Sequence, residues 1–164
     1  MARTHKRKGD EDEGVKLICR NRRAFHDYAI EDKLECGIVL TGTEVKSLRE
    51  GGTSLEDAYA KMDGNEVWLI GCDIPEYTYG NRLNHKPKRP RKLLLHRREI
   101  ARFADKATQR GFTLVPLRMY FRDGRAKVEL AIAKGKQTHD KRDSLKKADA
   151  KREMDRALAS RRKR

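Results

Sequence analysis

Aromatic residues are scarce in this 164-residue chain, at 6 %, and cysteine is scarcer still. The three thiols, Cys19, Cys36 and Cys72, are odd in number and form no CxxC pair, which argues against a disulfide framework and against a zinc site. Scattered thiols of this kind are packing residues of a chain kept in a reducing compartment. No apolar run approaches the roughly 20 residues of a membrane span, and the first residues are charged where a secretory signal would be apolar. A cytoplasmic location without a membrane partner is therefore expected. Few aromatics also mean few base-stacking platforms. Trp68, the only tryptophan, lies between Val67 and Leu69 and is expected to pack in the core.

What the chain has in excess is positive charge. Lys and Arg number 40 against 25 Asp and Glu, a formal net charge of +15, which calls for a polyanionic partner. About half of the surplus sits in the last segment, where residues 134–164 hold 13 Lys and Arg against 5 Asp and Glu. Residues 1–13 carry Arg3, Lys6, Arg7 and Lys8, then Asp10, Glu11, Asp12 and Glu13, which cancel and bury nothing. With 40 % charged and 37 % hydrophobic residues, these two ends cannot repay their ordering entropy alone. The expected organisation is a flexible arm (1–13), one folded unit (14–133) and a basic tail (134–164). The tail is disordered when free and, being rich in Ala, Lys, Arg and Glu, becomes helical once a partner neutralises it.

Within the folded unit, Phe25, Tyr28, Ile30, Leu34, Ile38 and Leu40 predict one long bent strand, or two, over 25–40 with a bend at Gly37. Thr43 is placed to cap a short helix over 44–49 that ends at Gly51-Gly52. Asp63-Gly64 and Asp123-Gly124 each separate two strand-like runs, so two hairpins are expected, 58–74 and 113–133. Between them, 75–90 reads as a basic loop long enough for a binding role, 92–96 as a short strand, and 98–110 as a helix packed through Ile100, Phe103, Ala104 and Ala107. The fold class that follows is mainly β with short helices: an OB-fold-like antiparallel barrel of about six strands, closed to remove its edges, with flanking helices.

Four segments, NRRAFHDY (21–28), TGTEVKSLREG (41–51), RKLLLHRREI (91–100) and AKGKQTHDKR (133–142), resemble the SmpB family in order and spacing, a likeness covering most of residues 17–142. The resemblance implies a tmRNA-binding adaptor of trans-translation, without catalysis and without a cofactor. Such a barrel binds the tRNA-like domain of tmRNA and accompanies it, with elongation factor Tu, to a ribosome stalled without a stop codon. The tail then enters the decoding centre and the empty mRNA channel. On residues, the resemblance implies RNA contacts at Glu35, Leu94 and His96, where some members carry Asn in place of His96. Arg22, Arg23, Lys92 and Arg97 are the basic candidates beside those contacts. Ribosome contacts fall on Gly135, Lys136, His139, Asp140, Lys141 and Arg142.

Blander readings stand beside these. By itself, Glu35 in a basic protein reads as a surface ion pair worth roughly 0 to 1 kcal/mol. A carboxylate facing RNA would instead accept hydrogen bonds from base amino or imino groups and penalise misplaced phosphates. The tail charge alone fits a ribosomal protein or general RNA chaperone that counts phosphates rather than reading shape. A ribonuclease built on His26 and His96 is a third class, but nothing in their spacing pairs them as acid and base.

Overall fold

The computed structural model describes residues 14–107, 111–136, 149–150 and 152–154. Two long strands, β6 (Phe112–Arg122) and β7 (Arg125–Gly135), form the hairpin on which the rest is built. Their turn is Asp123 (φ 50) and Gly124 (φ 73), two consecutive left-handed residues whose twist matches that of the flanking strands. The preceding elements are β1 (Val15–Arg20), α1 (Arg22–Asp27), β2 (Tyr28–Ile38), α2 (Gly42–Glu50), β3 (Tyr59–Asp63), β4 (Glu66–Ile70), β5 (Arg91–Leu94) and α3 (Arg97–Ala107).

All pairings are antiparallel, in the order β1-β6-β3-β4-β5-β2-β7, and β6 also pairs with β7. Six strands thus close a ring, and β1 lies along the outer half of β6 from Arg118 to Arg122. This is the expected OB-like barrel with flanking helices. Main-core residues include Leu69, Cys72, Ile74, Met119, Val128, Leu130 and Ile132, none exposed. On β6, Val115 and Leu117 instead pack with Ala24, Ala131 and Ala133 beneath α1. Both faces of this hairpin are covered along part of its length, so it reads as nearly continuous apolar sequence. Burial pushes the Cys36 and Cys72 thiols up to about 12 and Cys19 to about 11, only partly opposed by backbone hydrogen bonds or the Arg91 charge, so all three are inert packing groups.

Four local expectations are corrected. Residues 25–27 are helical, not extended, because Asn21 caps α1: its Oδ1 accepts from the Ala24 N–H at 2.9 Å, and its amide donates to the carbonyls of Leu55 (2.9 Å) and Pro116 (3.2 Å). Helix α2 starts two residues earlier than expected, with Thr41 as its cap, whose N–H donates to Glu44 Oε2 at 2.7 Å. The first hairpin turns on Gly64-Asn65, since Asp63 pairs with Glu66. Trp68 points outward, between Lys61 and Lys92 in the register, because the strand's alternation puts Val67 and Leu69 inside. Strand β1 has no counterpart in the sequence expectation: its partner is distant and its own alternation is weak.

The loop after β4 is tied to the barrel by a buried carboxylate. Glu44 and Arg91 are each 0 % exposed and pair at 2.8 Å, while Arg89 reaches the same carboxylate at 2.7 and 2.6 Å. Arg91 also donates to the carbonyls of Cys72 (2.6 Å) and Pro87 (2.8 Å). Burial acts to raise the Glu44 carboxyl, but the two guanidiniums and the Thr41 N–H outweigh it and hold it at about 2, against an ordinary 4.5. A group depressed in this way stabilises the fold fully above its unfolded value, and that stability is lost as pH falls from about 4.5 through about 2. Glu44→Gln leaves two cations facing a neutral amide and is expected to cost about 3 to 5 kcal/mol. Urea unfolding between pH 7 and pH 2 checks both points: the wild-type midpoint should fall across that acid window, and the variant should lose much of that dependence.

Candidate nucleic-acid interface

One open groove, of about 790 Å³, runs between the β2–β7 wall of the barrel and the chain leaving β5. Glu35, Leu94 and His96 all line it, together with Glu99, Arg125 and Lys127. Its floor is set by the crossing of β2 and β5, where Gly37 pairs with Leu94. A Cβ at Gly37 would stand 3.2 Å from the Leu94 Cβ, so the glycine permits this approach. Leu94 is 52 % exposed, an apolar side chain held out on a strand end. His96 is not in the strand but just before α3. Its N–H donates to Glu99 Oε2 (2.8 Å), and its carbonyl accepts from the N–H groups of Glu99 (2.9 Å) and Ile100 (3.0 Å). The imidazole is left exposed beside the groove.

Glu35 sits at the groove's rim among cations. Its carboxylate accepts from the Tyr120 hydroxyl, pairs with Arg122 at 2.6 Å and has Lys127 at 3.7 Å. Next to it, Glu129 pairs with Lys33 (3.3 Å) and Arg118. Burial, then the hydrogen bond and charge of Glu35, push the Tyr120 phenol well up, so it remains a donor at any physiological pH. Two carboxylates are therefore set in a face that also carries Lys33, Arg118, Arg122, Arg125 and Lys127. Such a face attracts phosphates, while its fixed acids reject them at defined points. The cations on β6 and β7 were missed in the sequence, although the pattern was there: Arg118, Tyr120 and Arg122 alternate with Met119 and Phe121.

The other sequence candidates fall elsewhere. Lys92 and Arg97 line a second concavity, of about 530 Å³, on the opposite side of Leu94 and Leu95, and Lys92 pairs with Glu66. Arg22 and Arg23 are on α1, where Arg23 meets Asp27 (3.3 Å) and Asp57 (3.7 Å). Gly135 pairs with Tyr28, and Lys136 is fastened to α1: its N–H donates to the Asp27 carbonyl (2.9 Å) and its ammonium to the Phe25 carbonyl (3.1 Å). Glu35 stands seven positions beyond Tyr28 on β2, roughly 23 Å at about 3.3 Å per residue. The root of the tail and the groove thus occupy opposite ends of one strand pair. His139, Asp140, Lys141 and Arg142 lie outside the described residues. His26 contacts Asp27 on α1 (2.9 Å), away from the groove of His96, so the two histidines are not an acid–base pair. Among the described residues no group of three or more His, Cys, Asp or Glu is placed to hold a metal ion, and no helix is long and apolar enough to cross a membrane.

These elements define a closed antiparallel β-barrel protein with a cation-rich face in which carboxylates are fixed. The family model described as SmpB protein matches residues 18–160, and the chain belongs to the SmpB family. It is 59 % identical over 162 residues to the SsrA-binding protein of Thermobifida fusca (strain YX), covering 99 % of this chain and 100 % of that one. Identity to the SsrA-binding protein of Acidothermus cellulolyticus (strain ATCC 43068 / DSM 8971 / 11B) is 59 % over 148 residues, covering 90 % and 93 %. A solved chain from a structure described as "tmRNA-SmpB: a journey to the center of the bacterial ribosome" superposes with a TM-score of 0.64 at 46 % identity, covering 74 % of this chain and 86 % of that chain.

Proposed function

We propose that this protein is the tmRNA-binding adaptor of trans-translation. The barrel binds the tRNA-like domain of tmRNA, the complex travels with elongation factor Tu, and the tail engages a ribosome stalled without a stop codon. The observation that carries the reading is the meeting of Glu35, Leu94 and His96 in one groove on a cation-rich barrel, in a chain so similar to SsrA-binding proteins. Leu94 offers an apolar surface to a base or sugar, His96 offers a donor and a ring, and Glu35 accepts from base amino or imino groups. Lys92 and Arg97, one concavity away, hold phosphates of the same RNA, as do Arg22 and Arg23 at the far end.

The segment that follows β7 acts on a different anionic surface. The expected boundary at 133 moves outward, because Lys134 and Gly135 belong to β7 and Lys136 is bonded to α1. Gly135 and Lys136 set the angle at which it leaves the barrel, and His139, Asp140, Lys141 and Arg142 meet the decoding centre, with the remainder helical in the mRNA channel. The protein itself catalyses no reaction, needs no cofactor and works in the cytoplasm. A reconstituted bacterial translation system programmed with mRNA lacking a stop codon tests this reading. Adding the chain with charged tmRNA should append the tmRNA-encoded peptide and free the ribosome. Tagging that proceeds equally without the chain would remove the adaptor role.

A further inference from the structure

The loop joining β4 to β5 is held in place along its length. Ser47 Oγ donates to the Pro75 carbonyl at 2.6 Å. His85, buried, bridges the Thr43 hydroxyl and the Ile74 carbonyl, both at 3.0 Å. Asn84 donates to the Tyr77 carbonyl at 2.9 Å, and Gly80 lies so near that a Cβ there would meet the Asn84 amide nitrogen at 2.4 Å. Yet this fastened loop turns two of its large apolar side chains outward: Tyr79 is 80 % and Leu83 93 % exposed. Tyr77 props the Tyr79 ring edge-on, with centroids 5.8 Å apart. An ordered loop presenting apolar groups to water marks a contact surface.

Charge says what the surface meets. Arg82, Lys86 and Lys88 are exposed and have no acidic partner among the described residues. An anion that also offers flat apolar faces matches this set, and a nucleic-acid strand with unstacked bases offers both. Position says which strand. Helix α2 joins the loop to the groove: Val45 lines the groove, while Glu44 and Ser47 on the same helix hold the loop. The root of the tail, at Lys136, is fastened instead to α1.

We propose that Tyr79 and Leu83 form a second contact for the RNA held in the groove, taking an unpaired base of the tRNA-like domain of tmRNA against the Tyr79 ring. Arg82, Lys86 and Lys88 take the flanking phosphates. The inference rests on the reading above that the groove binds that RNA. The test titrates the full-length chain, its Tyr79→Ser/Leu83→Ser variant and Glu35→Ala onto the isolated tRNA-like domain at near-physiological salt, with thermal melts alongside. The double variant, altered only at exposed positions, should melt like wild type and bind about 10- to 100-fold more weakly, as loss of one stacked base and its neighbour requires. Tyr79→Phe should stay within about threefold of wild type, since the ring face is kept. Unchanged affinity in the double variant beside a weakened Glu35→Ala overturns this inference and leaves the groove intact. Unchanged affinity with lost tagging overturns it too, because the loop would then be facing the ribosome. A wild-type chain without preference for this RNA removes the underlying reading, and the inference with it.

Discussion

A chain ending at Lys136 is expected to bind tmRNA within about threefold of the full-length protein at near-physiological salt, while tagging of stalled chains falls by about 100-fold or more. The barrel's last strand ends at Gly135, and Lys136 is still bonded to α1, so the cut keeps the whole of that strand and its tie to α1. The groove, its rim of cations and the β4–β5 loop are all left whole. Removed are residues 137–164, with 11 Lys and Arg against 5 Asp and Glu. Such charge adds affinity for any RNA at low salt through counterion release, so the salt must be high enough to suppress that contribution. Filter binding and a reconstituted tagging assay read the two quantities. Equal loss of both would mean that the tail, rather than the barrel, does the binding.

The second large effect has a sign that decides between two accounts. Glu35→Ala is expected to weaken tmRNA binding about tenfold or more, equivalent to roughly 1.4 kcal/mol, although it makes the protein more basic. Bulk electrostatics predicts the opposite, since the substitution frees Arg122 and Lys127 for phosphates. If Glu35 serves only as a surface ion pair, binding tightens slightly or holds. If it positions those cations and accepts from the RNA itself, the face loses its discrimination when it goes. Glu35→Gln separates the two tasks: it keeps the shape and an acceptor but weakens the hold on Arg122, so an intermediate affinity is expected. Competition titrations of the three proteins check the order.

The barrel was legible because its hairpins carry their own punctuation. Asp123-Gly124 marks the β6–β7 turn, and apolar residues on either side of it fill most of both strands. Helix α2 was legible from TGTEVKSLREGG, with its cap misplaced by two residues because either threonine has the right chemistry and only the fold selects Thr41. Helix α1 was not, since Phe25 and Tyr28 read as strand residues and outweighed the local cap at Asn21, whose side chain is fixed by carbonyls of Leu55 and Pro116 that are distant in sequence. Trp68 shows the same limit from the other side: residue type argued for the core, and strand register turned it out. The meeting of Glu35, Leu94 and His96 came from resemblance, because no local spacing joins β2 to the end of β5. The network of Glu44, Arg89 and Arg91 left no trace in spacing either, and charged residues so placed would ordinarily be taken for surface.

Competition with unrelated RNA tests most directly whether the barrel reads the contours of one folded RNA. Labelled tRNA-like domain bound to the full-length chain is challenged, at near-physiological salt, with unlabelled tRNA-like domain and with an unrelated folded RNA of equal length. The unrelated RNA should be needed at roughly a hundredfold excess or more for the same displacement. Equal displacement by both would show a surface that counts phosphates, and would contradict a groove built on Glu35, Leu94 and His96.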